Sequence, residues 1–307
     1  MRTAILTTLA LIAFAANSIL CRMALGRAAI DAASFSTLRL VSGAIMLLLL
    51  RSLFNRRGAP GAGGAERDRG DWISASMLFL YAVGFSFAYV SLGTGTGALI
   101  LFGAVQMTMI FSALRSGERP LVLEWIGLTL AVAGLIYLVF PGLSAPSLSG
   151  SALMAIAGIA WGIYSLRGRG SVDPLGGTTG NFVRTVPMVI AVSLVMFSHL
   201  HISFDGALLA ILSGGIASGV GYVIWYAALR GLTATRAATV QLSVPALAAA
   251  GGVMFMSESV SFRLTLAGIL ILGGVGLAVA SSGSPLHARQ LHVSPPGLRA
   301  DGQAVDS

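Results

Sequence analysis

The chain has 307 residues, of which 56% are hydrophobic and only 10% charged, where a soluble domain carries roughly 25% charged residues. A mean hydropathy of +0.87 leaves too few polar side chains to cover a water-facing surface, which excludes an ordinary soluble globule. The net charge of +8 comes from 19 basic and 11 acidic residues; every basic one is an arginine, and they lie between apolar runs rather than in a nucleic-acid-binding patch.

A bilayer core about 30 Å thick needs about 20 apolar residues per spanning helix. Ten apolar runs meet that need, at roughly 4–25, 33–54, 72–92, 96–115, 121–140, 149–167, 178–198, 207–229, 234–256 and 262–281. They lack period-two alternation, so helices are expected rather than a barrel. The expected fold is an all-α polytopic membrane protein with ten transmembrane helices.

The first run follows Arg2 and contains Ala13-Phe14-Ala15, the outline of a secretory signal. It continues to about Leu25, so it reads as helix 1. Cys21, the single cysteine, excludes an intramolecular disulfide or a multi-cysteine metal site. Residues 55–71 are glycine-rich and charged and read as a flexible loop. Gly93-Thr94-Gly95-Thr96-Gly97 lacks the lysine of a phosphate loop and reads as a tight turn between helices 3 and 4. His199, His201 and Asp205 fall between helices 7 and 8 and are too few for a metal site. Residues 282–307, rich in Ser, Gly and Pro, read as a disordered tail.

Threading ten helices with the N-terminus in the cytoplasm puts 14 of the 19 arginines inside, as the positive-inside rule requires. Both termini are then cytoplasmic and the expected location is a bacterial inner membrane. Arg39 and Arg184 fall within spans.

The two halves follow one plan. Glu118 after helix 4 and Glu258 after helix 9 each stand sixteen residues before a glycine, Gly134 and Gly274. Asp31 precedes the run containing Arg39, and Asp173-Pro174 the run containing Arg184. Five helices being an odd number, the second copy enters the membrane upside down. The expected units are residues 1–140 and 149–281, two inverted five-helix repeats, followed by the tail from 282 to 307.

On Gly117-Glu118-Arg119 after helix 4, Ser257-Glu258-Ser259 after helix 9, Trp161-Gly162 in helix 6 and Pro245 in helix 9, the chain resembles the EamA-type families of the drug/metabolite transporter superfamily. It departs from them at Asn17-Ser18, where Trp-Gly is frequent, and at Ser257, where glycine often precedes the glutamate. The resemblance implies a transporter, most similar to exporters of aromatic and other amino acids.

Polar groups at mid-bilayer are costly and mark the bundle interior or a water-filled path. Asn17, Gln106 and Gln241 qualify, with interhelical hydrogen bonding as the competing role. Tyr81 lies deep, and Trp161 and Tyr164, three residues apart, share a helix face and suit a cavity for apolar or aromatic groups. Trp72, Trp125, Trp225, Tyr226, Tyr89 and Tyr137 stand near span ends, where aromatic rings anchor at the interface. Pro245, near the centre of helix 9, is expected to kink it, making Pro245, Gly251 and Gly252 the hinge candidates. Glu118 and Glu258 are expected to stabilise the starts of the helices that follow them. Arg39 and Arg184 are expected to snorkel or to cap helix carbonyls, with substrate-carboxylate binding as the minor alternative.

These features point to a secondary transporter that exports amino acids or similar small metabolites, without cofactor or metal. A small-molecule substrate and lipid are its expected partners, and a monomer or homodimer its expected state. The alternatives are a polytopic membrane enzyme such as a lipid-group transferase, which would be expected to show acidic or histidine clusters at one membrane face, and a proton-coupled exporter of other metabolites. None of the eleven acids falls near mid-span, which favours facilitated export.

Overall fold

The computed structural model describes residues 2–56, 69–115, 122–140, 145–168, 171, 173–229, 232 and 240–282. Glu118 with its neighbours, most of the 55–71 loop and the tail beyond Ser282 lie outside them. The described residues are helical throughout, apart from turns and one isolated antiparallel bridge between Ile30 and Ile202.

Helices α1 (Arg2–Gly26), α2 (Ala32–Arg56), α3 (Trp72–Tyr89), α4 (Thr94–Arg115), α5 (Val122–Val139), α6 (Leu148–Arg167) and α7 (Pro174–Val195) follow in order. An eighth rod has three parts: α8 (Phe204–Ile211), a π-helical stretch (Leu212–Val220) and α9 (Gly221–Leu229). α10 (Val244–Met256) and α11 (Phe262–Ser282) complete the set. Among the described residues seven helices are long and apolar enough to cross a membrane, the eighth rod among them, and Trp125–Val139, Val244–Met256 and Phe262–Leu277 are shorter apolar helices. A backbone in lipid has no water to satisfy its polar groups, so these apolar segments close their hydrogen bonds within the helix.

Helix starts are fixed by short polar side chains. Asp71 accepts from Ser74 N, Ser147 from Gly150 N, Asp173 from Gly176 N and Ser203 from Gly206 N, each satisfying a donor that the first turn leaves open. α10 ends at Ser257 with φ of 53°. The Gly93–Gly97 element divides, with Gly93 in the turn and Thr94 onward in the first turn of α4.

Packing follows pairs: α3 and α4 on α6, α2 on α7 and on the π-helical stretch, α1 on α9 and α10, α10 on α4, and α11 along α5. Cross-links define two faces. On the face where α1 begins, Arg167 reaches Asp71 and Arg51 reaches Asp173. On the opposite face, Arg22 reaches Glu258, and Ser91 Oγ lies 2.7 Å from Ser147 Oγ. Large apolar side chains such as Ile5, Leu49, Ile126 and Ile269 are exposed on the outside of the bundle, the surface that lipid covers.

Three expectations about position are corrected. Tyr89 and Trp225 are buried in the core rather than anchored at an interface; their rings find aromatic partners, Phe85 for Tyr89 and Phe14 for Trp225, whereas Trp72 and Trp125 are exposed. Pro245 stands in the first turn of α10, directly after a turn at 242–243, where its missing N–H costs no helical hydrogen bond. Glu258 serves the start of α4, accepting from Thr94 N at 2.8 Å, and not the start of the helix that follows it.

Candidate functional site

The centre of the bundle is an aromatic cluster contributed by five helices. Trp161 of α6 has its ring centroid 4.8 Å from Tyr81 of α3, 5.0 Å from Tyr222 of α9, 5.5 Å from Tyr164 and 6.3 Å from Phe14 of α1. Phe182 of α7 meets Tyr222 at 5.9 Å. These tilted and edge-on geometries are the ones that aromatic quadrupoles favour.

Polar groups are threaded through the rings. Tyr81 Oη accepts from Asn17 Nδ2 at 3.2 Å and from Arg39 Nη2 at 3.0 Å. Ser213 donates to Asn17 Oδ1, and Arg39 Nε donates to Ser218 Oγ at 3.4 Å. The Arg39 guanidinium lies over the rings of Tyr81, 5.1 Å away, and Phe85, 4.8 Å away. Arg39 is 1% exposed, so it neither snorkels nor reaches an interface; the two ring faces and the two hydroxyls hold it at the centre. Among the described residues its Nη1 has no hydrogen-bond partner. The Tyr222 hydroxyl, beside that of Tyr81 but outside hydrogen-bonding geometry, has none among them either.

Gly214 explains how closely the π-helical stretch approaches α2 at Arg39. A Cβ there would collide with the Arg39 carbonyl and Ser42 Oγ, so only glycine lets the π-helical stretch lie directly on α2.

The central cavity is lined by Phe14, Asn17, Ser18, Tyr81, Phe85, Leu101, Phe102, Trp161 and Tyr222, and its free space is about 10 Å³, room for a single water at most. Of the residues expected to line a pathway, Asn17, Tyr81 and Trp161 meet here. Tyr164 instead lines a second hollow of about 50 Å³ at the face where α1 begins, with Asp71, Arg167, Asn181 and Tyr226 among its walls. Gln106 is buried one turn beyond Phe102 on α4, and Gln241 is buried beside the turn preceding α10; neither lines the central cavity. A groove of about 740 Å³ between α4, α5 and α6 is walled by Met107, Phe111, Leu135 and Ile159. With Phe111 and Ile159 exposed, it opens onto the lipid-facing surface.

Both ends of the bundle are tied. On the opposite face Arg22 Nε pairs with Glu258 at 3.2 Å, while Arg22 Nη1 donates to the carbonyls of Tyr89 and Val90. Gly252 packs against the Glu258 carboxylate, and Gly251 against Ile19. At the face where α1 begins, Arg167 Nη2 pairs with Asp71 at 3.1 Å and its Nε donates to Ser74 Oγ at 3.0 Å. Burial opposes the charge of Asp71, but the hydrogen bonds from Ser74 and the Arg167 guanidinium outweigh it and hold the carboxyl below the usual carboxylate range. Asp31, in the α1–α2 turn, is likewise held low: burial opposes its charge, and hydrogen bonds from Ser34 and His201 N outweigh that. Arg184 donates to the carbonyls of Gly180 and Arg69 and lies over the Trp72 ring. Among the described residues no three His, Cys, Asp or Glu side chains gather where they could hold a metal ion.

Comparison with known proteins places this architecture. Residues 148–280 match the EamA-like transporter family. The chain is 30% identical to the threonine/homoserine exporter RhtA of Escherichia coli K12, over 79% of this chain and 87% of RhtA. The chain belongs to the EamA-like transporter family. It is 48% identical to an uncharacterised Pseudomonas aeruginosa protein, over 91% of this chain and 95% of that one. A solved crystal structure shares its fold with a TM-score of 0.59 at 19% identity, over 94% of this chain and 99% of that chain. As an EamA-like transporter, the protein is a multi-pass membrane protein whose task is transport.

Sequence reasoning missed Phe14, Phe85 and Tyr222 as members of the central cluster and Arg22 as the partner of Glu258. The signal for Arg22 was present: it is an arginine on the face poor in arginines, and its charge is opposite to that of the recurring glutamate.

Proposed function

We propose that this EamA-like transporter exports amino acids or similar small metabolites by alternating access between two inverted five-helix repeats, residues 1–140 and 149–281. The observation that carries the reading is a central polar and aromatic cluster closed from each face by a separate ion pair, Arg22–Glu258 on one side and Arg167–Asp71 on the other. Alternating access needs such a pair of independent closures around one site, each able to open while the other holds.

The neighbour relations support the repeat. With the eighth rod counted as helix 8, α10 as helix 9 and α11 as helix 10, a two-fold operation exchanges helices n and n+5. Under it α2–α7, α4–α10 and α5–α11 are self-paired contacts, α3–α6 exchanges with α1–helix 8, and α4–α6 exchanges with α1–α10; all of these occur. The likeness to RhtA favours amino acids as cargo, and aromatic walls suit apolar side chains. The arginine-rich face, where α1 begins, is then cytoplasmic in a bacterial inner membrane. Export runs down the substrate's own gradient, because the described carboxylates stand in loops and at helix starts rather than at mid-depth.

The test uses purified protein in liposomes loaded with labelled threonine, homoserine or phenylalanine. Saturable efflux of at least one is expected, and a pH gradient imposed at clamped membrane potential is expected to drive no accumulation. Efflux no faster than from loaded, protein-free liposomes for every amino acid overturns the cargo assignment. Uphill accumulation abolished by a protonophore overturns the facilitated mechanism.

A further inference from the structure

Arg39 is an unbalanced charge buried at the centre of the bundle. A guanidinium has five N–H donors and tolerates burial only when those donors and its charge are matched. Here Nη2 and Nε are used by Tyr81 and Ser218, two aromatic faces cover the plane, and Nη1 is left without a partner among the described residues. None of the ion pairs among the described residues involves Arg39, and the described acidic residues Asp31, Asp71, Glu124, Asp173, Asp205 and Glu258 all stand in loops or in the first turn of a helix. The second unpartnered polar atom in this region, the Tyr222 hydroxyl, belongs to a cavity-lining side chain next to Tyr81, whereas Arg39 is not itself a lining residue and borders the cavity through Tyr81 and Phe85, whose rings its guanidinium covers. Two unused donors, one of them cationic, thus flank one tyrosine hydroxyl that already accepts two hydrogen bonds. What this group of residues lacks is an acceptor carrying negative charge.

We propose that the substrate's carboxylate is the missing counter-ion, held by Arg39 and Tyr222, so that a free carboxylate is a requirement for binding at the central site. This deepens the amino-acid reading above and rests on its placing the substrate at the central cluster. The present free space of about 10 Å³ means that the rings of Trp161 and Tyr81 must separate to admit the ligand, which would exchange ring contacts for a charge-assisted hydrogen-bond pair. A carboxylate in place costs the site no buried carboxylate of its own, and an amine without one would leave the guanidinium unmatched. The rule predicts discrimination by charge rather than by side chain.

The experiment is thermal unfolding of the purified, detergent-solubilised chain with matched probes: L-threonine, L-phenylalanine, the corresponding amides, the decarboxylated amines, and sodium chloride at the same ionic strength. At least one free carboxylate is expected to raise the melting temperature while its amide, its amine and chloride do not. Arg39→Gln is expected to weaken that binding about tenfold or more, the loss of a hydrogen bond to a charged group, with Arg39→Lys intermediate. Tyr222→Phe, which removes only a hydroxyl, is expected to weaken it without loss of fold. Equal stabilisation by the amides, stabilisation by chloride alone, no response to any carboxylate, or a wild-type response in both Arg39→Gln and Tyr222→Phe overturns the proposal. Because this reads binding and not flux, efflux of amino acids with no carboxylate preference leaves the exporter reading standing while this inference falls. A carboxylate preference in a chain that moves no amino acid does the reverse.

Discussion

Glu258 ties α1, the α3–α4 turn and the α10–α11 turn together at one face, so removing its charge tests whether that face is held shut by electrostatics. Glu258→Gln keeps the shape of the side chain and one acceptor oxygen but takes away the ionic partner of Arg22. A hydrogen bond to a charged group contributes about 1.5–3 kcal/mol, and two converge on this carboxylate, from Arg22 Nε at 3.2 Å and Thr94 N at 2.8 Å. The paired side chains are 20% and 22% exposed, and solvent screening pulls the ionic part toward the roughly 0–1 kcal/mol of a surface pair. The net loss is then about 1–3 kcal/mol, which raises the population open at that face about 5- to 150-fold. Cys21, the sole cysteine and fully buried one residue before Arg22, reports the opening without engineering. Its alkylation by a small membrane-permeant maleimide should accelerate at least about fivefold in Glu258→Gln. Arg22→Gln should behave alike, and the double variant should add little to either, because the two groups form one interaction. Unchanged Cys21 labelling in folded Glu258→Gln refutes the assignment of this pair as the closure.

Gly214→Ala places a methyl group against the Arg39 carbonyl and Ser42 Oγ; overpacking of this kind costs about 1–3 kcal/mol, so a lower melting temperature is expected, and a wild-type melting temperature would contradict the close approach of α2. At the other face, the lowered carboxyl of Asp71 sets the direction of a pH effect. A depressed folded-state pKa contributes stability above the unfolded value of about 3.9 and loses it as pH falls through the folded value. Asp71→Asn should therefore melt below wild type at pH 7, and the two curves should converge in stronger acid; parallel curves down to pH 3 would show that the carboxylate contributes nothing there.

Hydropathy made the helices legible because a spanning segment must be apolar along its whole length, a property that survives without any knowledge of neighbours. Depth is legible in part for the same reason: Asn17, Tyr81 and Trp161 all fall deep within their spans and meet at the centre, while Gln106 stands one turn beyond Phe102 on α4. Rotation about each helix axis was not, because a helix apolar on all sides carries little sign of which face turns inward. That is why Tyr89 and Trp225 read as interfacial from their distance to the span ends. Arg39 was misread for a different reason. Snorkelling is the ordinary fate of a membrane arginine near a helix end, and the features that hold this one inside, Gly214 across from it and the Tyr81 and Phe85 rings, come from distant parts of the chain. The break before α10 depends on residues on both sides of Pro245, which the proline alone did not locate.

The π-helical stretch Leu212–Val220 does something that an α-helix of the same sequence could not. Its i→i+5 winding aligns residues five apart, and Ser213 and Ser218 are five apart: the first bonds Asn17 of α1 and the second Arg39 of α2. Rewound as α-helix, the rod would align residues three or four apart, and one serine would turn from the centre. Such a rewinding changes the turn per residue along the stretch and so rotates everything downstream, which would carry Tyr222 and Trp225 with it. The eighth rod therefore behaves as a screw whose thread pitch, set by a few glycines and serines, fixes the angular position of the whole α9 wall relative to the guanidinium.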